Sequence, residues 1–312
     1  MTADVTPPKP QLPNAQGKTI LCFGYGYTAN AVCETLKLSD WSVVGTTTDE
    51  SKADLLAESG VKPIVFDSNH PLCNPYEALE NVTHILLSIP PDDRGDIVYM
   101  LHDEDIARMK NLEWVGYLST TGVYGNRDGT WVDETSMPAP TSRRGSLRYK
   151  AEQQWLSVVK EFDIPLHIFR LSGIYGPGRS ALDSVRAGQS RRIDKPGHAF
   201  NRIHIDDIVQ TLVASINKPN PGAIYNLADD NPAPSHEVIA YACTLLGVDV
   251  PELTPFEDAD LAPMVRSFYK DNKRIRNALI KSELGVQLFH PDYKSGLSAC
   301  FEAEKELYDL VD

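Results

Sequence analysis

Short apolar runs alternate with helical segments from Lys18 to Arg170, and this alternation limits the folds open to the chain more than any other feature. The six runs are Thr19–Phe23, Ser42–Thr46, Lys62–Phe66, His84–Ile89, Trp114–Ser119 and Leu166–Leu171. Most are almost continuously apolar, which is typical of strands that helices cover on both faces. The helical segments between them are Thr28–Leu38, Lys52–Ser59, Asp96–Lys110 and Ser146–Phe162. The pattern predicts an α/β fold with a doubly wound parallel sheet of the Rossmann type.

The first run leads directly into Gly24-Tyr25-Gly26-Tyr27-Thr28-Ala29, and a helical segment follows at once. This is the pattern G-x-G-x-x-A in the strand–turn–helix context of a dinucleotide-binding loop. Its first glycine permits a tight turn, its second lets the backbone approach a pyrophosphate, and its alanine allows close packing of helix on strand. The helix N-terminus offers free N–H groups to the same pyrophosphate. The sequence therefore predicts that these six residues bind NAD or NADP.

The end of the second run bears on the choice between the two cofactors. An acid there holds the adenosine ribose of NAD and repels the 2′-phosphate of NADP. This chain has Thr46, Thr47 and Thr48, with Asp49 arriving late and Lys52 behind it. The hydroxyls and the lysine can accept a phosphate, so Thr47 and Thr48 are predicted cofactor contacts and NADP is slightly favoured over NAD.

After Gly173 the rhythm changes, because turns become frequent and only one further strand, Ala223–Leu227, lies between the helical stretches His236–Leu246 and Tyr269–Leu284. This favours a smaller C-terminal region that covers the carboxyl ends of the sheet, where such folds bind ligands. The predicted divisions are a flexible leader (1–17), a dinucleotide-binding domain (18–172) and a mainly substrate-binding region (173–312), of which 202–228 returns to the Rossmann core.

Composition narrows the class of protein. The formal net charge of −13 argues against binding of duplex nucleic acid, which needs a basic face. Residues 143–202 nevertheless carry twelve Lys and Arg against five acids, which indicates either ordinary solvated surface or a basic pocket for an anionic ligand. Apolar stretches such as His84–Pro90 are too short to cross a bilayer, so a cytoplasmic protein is expected. The assembly stays open, with a homodimer as one candidate.

Three later motifs carry a family resemblance. They are Ser119-Thr120-Thr121-Gly122-Val123-Tyr124-Gly125, Arg170-Leu171-Ser172-Gly173-Ile174-Tyr175-Gly176-Pro177-Gly178-Arg179 and Arg202-Ile203-His204-Ile205-Asp206-Asp207-Ile208. Together with the glycine loop and in this order, they resemble the extended short-chain dehydrogenase/reductase family, which includes NAD-dependent epimerases and dehydratases. The match covers about residues 18–285 and is nearest to an atypical branch of that family.

The resemblance implies a catalytic centre in which two side chains, at positions 144 and 148, differ from those of the family. Thr120 occupies the position of the Ser or Thr that hydrogen-bonds the reacting oxygen. Alignment on Ala151-Glu152 places Arg144 where the family has its catalytic Tyr and Arg148 where it has the following Lys. Arginine stays protonated and cannot exchange a proton as the Tyr does. Arg148 is therefore expected to anchor the cofactor, and Arg144 to clamp an anion.

The proton-transfer residue is left unassigned, with Tyr149, Tyr124 and Tyr175 as candidate phenols. The resemblance also implies that the backbone of Ser88, Ile89 and Pro90 lines the cofactor. Tyr124 and Arg179 occupy positions that resemble substrate contacts, although packing and surface roles explain these residue types equally well.

No metal is expected. His204, Asp206 and Asp207 suggest ligands, but Asp206 is better explained as the N-cap of a helix over Ile208–Ile216. The leading hypothesis is an NAD(P)-dependent oxidoreductase or epimerase acting on an anionic small molecule, such as a nucleotide-sugar. The alternatives are a non-catalytic, redox-sensing dinucleotide-binding protein and, less favoured, a nucleic-acid-binding module.

Overall fold

The structure is a computed structural model that describes residues 11–309, with side chains described for residues 11–305. Its strands are β1 (Thr19–Phe23), β2 (Ser42–Thr47), β3 (Lys62–Val65), β4 (His84–Leu87), β5 (Trp114–Thr120), β6 (Trp131–Val132), β7 (Leu166–Leu171), β8 (Gly173–Tyr175), β9 (Arg192–Asp194), β10 (Arg202–His204), β11 (Ile224–Leu227), β12 (Leu253–Pro255) and β13 (Arg274–Ile275). Its helices are α1 (Tyr27–Lys37), α2 (Glu50–Glu58), α3 (Pro75–Leu79), α4 (Ile97–Ala107), α5 (Arg143–Phe162), α6 (Ala181–Arg186), α7 (Ile205–Asn217), α8 (Ser235–Leu246), α9 (Pro263–Phe268), α10 (Ala278–Leu284) and α11 (Tyr293–Asp309).

Seven parallel strands form the central sheet, in the order β3-β2-β1-β4-β5-β7-β11. The predicted doubly wound parallel sheet is confirmed, and its six predicted strands are all present. The late strand is the seventh, since β11 pairs with β7 at the edge of the sheet. The order reverses between β1 and β4, and the carboxyl ends of these two strands therefore open the crevice in which such sheets bind ligands.

Alternate residues of each strand enter separate cores on the two faces of the sheet. One core joins β1, β5, β7 and β11 to α1 and α7, and it includes Ile20, Trp114 and Phe169. The opposite core joins the same sheet to α4 and α5, and it includes Leu21, Tyr117 and Trp155. Burying an aliphatic or aromatic side chain of this size contributes about 1.5–3 kcal/mol. The strands read as continuous apolar runs because both of their faces are covered.

The predicted leader differs from the structure over residues 11–17. Pro13 is buried, and its carbonyl oxygen accepts a hydrogen bond from Trp41 Nε1 (3.3 Å). The Gln11 carbonyl oxygen accepts another from Asn217 Nδ2 at the end of α7 (2.6 Å). This part of the leader therefore packs on the sheet domain, while residues 1–10 lie outside the described residues.

The helix predicted over Tyr269–Leu284 is wrong in its first half. Only α10, from Ala278, is helical, while Arg274 and Ile275 form β13 and pair in parallel with β6. The backbone amide of Arg274 donates to the distant Thr130 carbonyl oxygen instead of to a carbonyl oxygen one helical turn earlier. Lys273, within this segment, is buried. Tertiary pairing overrides helix propensity here.

Within residues 11–309, none of the helices combines the length and the apolar character that crossing a membrane requires.

Candidate functional site

The two glycines of the loop between β1 and α1 have different surroundings. Gly24 has a φ of +87°, and a Cβ there would lie 2.9 Å from Ile89 Cγ1. Gly26 has an ordinary extended backbone (φ −104°), and a Cβ there would meet nothing within 4 Å. Gly26 is also the N-cap of α1, and among the described residues no side chain caps this terminus. Gly24 thus fits the loop to the end of β4, while Gly26 leaves open space in front of an uncapped helix.

The two tyrosines of this loop support it from different sides. The Tyr25 ring packs on β2, where a Cβ at Gly45 would come within 2.6 Å of it. Tyr27 donates a hydrogen bond from its hydroxyl to the Pro177 carbonyl oxygen (3.0 Å), and the Arg179 guanidinium lies 5.6 Å from the centre of its ring. Burial raises the pKa of Tyr27 to about 12, so the phenol stays protonated. Arg179 is exposed, and its contact with Tyr27 places its charge beside the glycine loop.

At the end of β2, the Thr46 hydroxyl is hydrogen-bonded within the protein, because its Oγ1 accepts from the Gly24 amide (2.8 Å). The Asp49 carboxylate caps α2 by accepting from the Ser51 amide (2.9 Å) and hydroxyl (2.8 Å), and these bonds lower its pKa. Thr48 and Lys52 are exposed. Asp49, the first acid after β2, therefore acts as the N-cap of α2.

Arg148 reaches from α5 to the carboxyl ends of β4 and β5. Its Nη1 lies 3.4 Å from the Ile89 carbonyl oxygen and 3.3 Å from the Tyr117 hydroxyl oxygen, to both of which it donates. The buried Asp96 carboxyl, which caps α4, is close enough for the Arg148 charge to oppose the rise that burial causes in its pKa. Arg148 thus borders the Ser88–Pro90 backbone, the segment expected to line the cofactor.

Thr120 and Arg144 lie at the junction of β5 and α5. Thr120 is partly exposed, and its Oγ1 accepts a hydrogen bond from the Gly122 amide (3.1 Å). Gly145 is packed against this turn so closely that a Cβ would lie 2.7 Å from the Gly122 carbonyl oxygen. Arg144 is exposed and donates through Nη2 to the Met264 sulfur of α9 (3.2 Å). Two guanidinium groups, those of Arg144 and Arg148, therefore lie near the Thr120 turn.

The candidate phenols are less accessible than the sequence suggested. Tyr124 is fully buried, with its hydroxyl donating to Asn226 Oδ1 (2.8 Å) and accepting from Arg170 Nη1 (2.9 Å). Tyr175 is buried too, and its hydroxyl donates to the Asp292 carbonyl oxygen (3.3 Å). Tyr149 packs against the small apolar cluster around Val123 and Tyr124. The substrate role expected of Tyr124 is corrected, because its hydroxyl is enclosed by the protein.

A buried ion pair beneath the site was not recognised from the sequence. Arg170 on β7 donates to both carboxylate oxygens of Glu152 on α5, at 3.1 and 2.7 Å, and the Ser119 hydroxyl donates to Glu152 Oε1 (2.5 Å). Glu152 is fully buried and Arg170 nearly so. A signal was available, because an arginine inside an apolar strand needs a buried partner.

The start of α7 also differs from the expectation. Its N-cap is His204, whose Nδ1 accepts a hydrogen bond from the Asp206 amide (3.2 Å), so the cap predicted at Asp206 is wrong. Asp207 is buried, and its carboxylate accepts from the amides of Phe289 (2.7 Å) and His290 (3.1 Å). Helix ends are commonly displaced by a residue or two from their sequence signals.

Relatives of the chain exist among known proteins, although no protein-family model matches it. A solved conserved protein of unknown function from Silicibacter pomeroyi DSS is 46% identical, with a TM-score of 0.85 over 92% of this chain and 99% of that one. The chain belongs to the same family as this protein. Protein YeeZ of Escherichia coli (strain K12) is 24% identical over 287 residues, which cover 88% of this chain and 97% of YeeZ.

The fold extends to characterised enzymes. UDP-glucuronic acid 4-epimerase from Bacillus cereus, solved in complex with NAD, is 20% identical, with a TM-score of 0.72 over 93% of this chain and 98% of the epimerase. The chain therefore shares its fold with this epimerase.

Proposed function

We propose that this chain binds NADP or NAD at the carboxyl ends of β1 and β4. The observation that carries the proposal is the uncapped N-terminus of α1 behind Gly26, where a Cβ would meet no protein atom. A diphosphate there accepts hydrogen bonds from the first-turn amides and benefits from the helix dipole. Arg179, exposed beside Tyr27, adds a positive charge at the same place. The α1 N-terminus and Arg179 therefore fit the diphosphate of a bound dinucleotide.

We infer a preference for NADP. Asp49 Oδ1 accepts hydrogen bonds from the Ser51 amide and hydroxyl, which ties this acid to the start of α2, beyond the end of β2 where an acid that holds the ribose hydroxyls selects NAD. Thr47, Thr48 and Lys52 provide hydroxyls and a charge for a 2′-phosphate. A Lys52→Glu variant should lose at least about tenfold affinity for NADP and little for NAD, because the introduced carboxylate repels only the extra phosphate. Equal losses for the two dinucleotides would contradict the preference.

The proposed reaction is an oxidoreductase or epimerase reaction on an anionic small molecule, with nucleotide-sugars as one candidate class. The bound dinucleotide supplies the hydride chemistry. Thr120 hydrogen-bonds the oxygen on the reacting carbon, while Arg148 anchors the cofactor and Arg144 orients the substrate's negative charge. Because neither guanidinium gives up its proton at neutral pH, the proton exchanged with the substrate oxygen comes from another group, with the partly exposed Tyr149 phenol and solvent as the candidates. The similarity to NAD-complexed epimerases supports this reaction class.

Turnover tests the proposal. Purified protein is mixed with NADPH and a panel of anionic carbonyl compounds, and nicotinamide absorbance is followed. Thr120→Val should reduce turnover by about 10²–10³-fold, as the loss of an aligned hydrogen-bond donor does elsewhere. Thr121→Val is the matched control, because the Thr121 hydroxyl donates to the Leu171 carbonyl oxygen within the protein (3.4 Å). Equal effects of the two substitutions would refute the role of Thr120.

A second candidate function, dinucleotide binding without turnover, is favoured by Arg144. This residue replaces the proton-transferring Tyr of the family, and it is exposed against Met264. Tight NADPH binding with no turnover on any compound of the panel would identify such a binding or redox-sensing protein. The double substitution Arg144→Tyr with Arg148→Lys restores the family's pair. A gain of reductase activity would then show that only those side chains were missing.

A further inference from the structure

Two imidazoles and a carboxylate converge where α7 meets the loop before α11, outside the site described above. His204 Nδ1 lies 3.5 Å from Asp206 Oδ2, and His290 Nε2 lies 3.2 Å from the same oxygen. The three ligand atoms all lie within 4.8 Å of one another. The two imidazole rings are in contact, with 4.0 Å between their centres. This grouping has no part in the proposed binding of the dinucleotide.

The two distances to the Asp206 carboxylate match those between neighbouring ligands of a tetrahedral metal ion. Bonds of about 2.0–2.2 Å to nitrogen and oxygen place neighbouring ligand atoms of a tetrahedral zinc site roughly 3.3–3.5 Å apart. Both distances to Asp206 Oδ2 fall close to this range. Imidazole with carboxylate is a ligand set that suits zinc and its neighbours in the transition series, whereas magnesium and calcium prefer oxygen ligands alone.

The surrounding structure holds the three side chains in place. His204 ends β10, its Nε2 lies 3.5 Å from Cys300 Sγ, and the Tyr175 ring packs edge-on against it. A hydrogen-bond partner on the second ring nitrogen is the usual support of a histidine ligand. The backbone of His290 is fixed by the buried Asp207 carboxylate.

Asp206 completes the set from the solvent side. Its side chain is 57% exposed, which leaves room for water as a fourth ligand. Metal binding would replace the hydrogen bond from the Asp206 amide to His204 Nδ1, and that first-turn amide can turn to water instead. His204, and not Asp206, is the cap residue of α7, so the Asp206 carboxylate is not held by the helix terminus. Its hydrogen bond with His290 Nε2 (3.2 Å) is the contact that a metal ion would replace.

We propose that His204, Asp206 and His290 bind one divalent transition-metal ion, zinc in the first place, with water as the remaining ligand. The ion joins the start of α7 in the sheet domain to the segment that leads into α11. Its role is structural, because it ties the C-terminal region to the Rossmann core.

Calorimetric titration of tag-free, chelator-treated full-length protein with zinc chloride tests the proposal. One ion per chain should bind, and Asp206→Asn and His290→Gln should each weaken binding by at least about tenfold, since even loss of an outer-shell partner costs about 10–100-fold. Cobalt in place of zinc should give the intense visible absorption of a tetrahedral site, and magnesium should give no heat of binding.

Two control variants distinguish this site from incidental zinc binding. His70 pairs with Asp67 (3.0 Å) in the same way but has no second imidazole, so His70→Gln should leave zinc affinity unchanged. Cys73 is exposed, and Cys73→Ser should also have no effect. The proposal is overturned if no ion binds more tightly than about 100 µM, or if zinc affinity follows Cys73 or His70. It is equally overturned if affinity survives in either ligand variant that keeps the wild-type circular dichroism spectrum.

Discussion

Adding a methyl group at each glycine of the β1–α1 loop separates the role of folding from the role of binding. In Gly24→Ala, an L-residue is forced to a φ of +87°, and the new Cβ lies 2.9 Å from Ile89 Cγ1 and 3.2 Å from the Ile89 amide nitrogen. The left-handed region costs about 1–2 kcal/mol and overpacking about 1–3 kcal/mol. We therefore expect Gly24→Ala to lower the free energy of unfolding by about 2–5 kcal/mol.

Gly26→Ala should leave folding almost unchanged. The backbone there suits any L-residue, and the new methyl group meets nothing within 4 Å. The reduced freedom of the unfolded chain contributes about 0.4–1 kcal/mol, which a poorer N-cap offsets, so the net change stays within about 0.5 kcal/mol. The same methyl group stands in the space proposed for the diphosphate. NADP affinity should fall at least about tenfold, or about 1.4 kcal/mol.

Urea denaturation followed by tryptophan fluorescence gives the two free energies of unfolding, and titration with NADP gives the affinities. The decisive comparison is Gly26→Ala, a stable protein that has lost its ligand. If Gly26→Ala binds NADP as the wild type does, the diphosphate does not lie at this helix terminus. If Gly26→Ala loses as much stability as Gly24→Ala, the new methyl group clashes with the protein, and the space in front of α1 is not open.

Three further predictions concern the packing around the site. Glu152→Ala leaves the Arg170 guanidinium buried without a partner and should cost about 3–5 kcal/mol in urea denaturation; a loss below 1 kcal/mol would contradict the ion pair. Burial raises the pKa of Asp229 to about 8, so the folded chain keeps a proton that the unfolded chain releases near pH 4. Wild-type stability should therefore fall by up to about 1.4 kcal/mol per unit as pH rises from about 4 to 8, and unfolding of Asp229→Asn at pH 5 and 8 should show a shallower fall. Gly45→Ala drives a Cβ to 2.6 Å from the Tyr25 ring and should lower the melting temperature, whereas Gly45→Ala combined with Tyr25→Ala should recover part of the loss.

The sheet was predictable because its sequence signal is local and repeated. Leu166–Leu171 is buried at every position, including His167 and Arg170, which are the polar interruptions of that run. Strands covered on both faces can be predicted from their continuous apolar composition. The glycine loop can be predicted because its motif comes directly after the first of these strands.

The details of the site depended on contacts between distant segments. Tyr124 has the motif position of a cleft residue, but Arg170 and Asn226, far away in the chain, enclose its hydroxyl. Arg274 leaves the predicted helix because its amide finds an acceptor at Thr130. Single-sequence patterns carry no information on such partners, and the cap of α7 was displaced for the same reason.

The ion pair of Glu152 with Arg170 fixes α5 about two turns beyond Arg144 and one turn beyond Arg148. The side chain at position 144 takes no part in that attachment, whereas Arg148 adds two long hydrogen bonds to the sheet, at the Ile89 carbonyl oxygen and the Tyr117 hydroxyl oxygen. Substitution of Arg144 should therefore carry little penalty in stability. Side chains in the first two turns of α5 can therefore be changed while Glu152 and Arg170 still hold the helix on the sheet. These turns are a suitable place to engineer a new reaction.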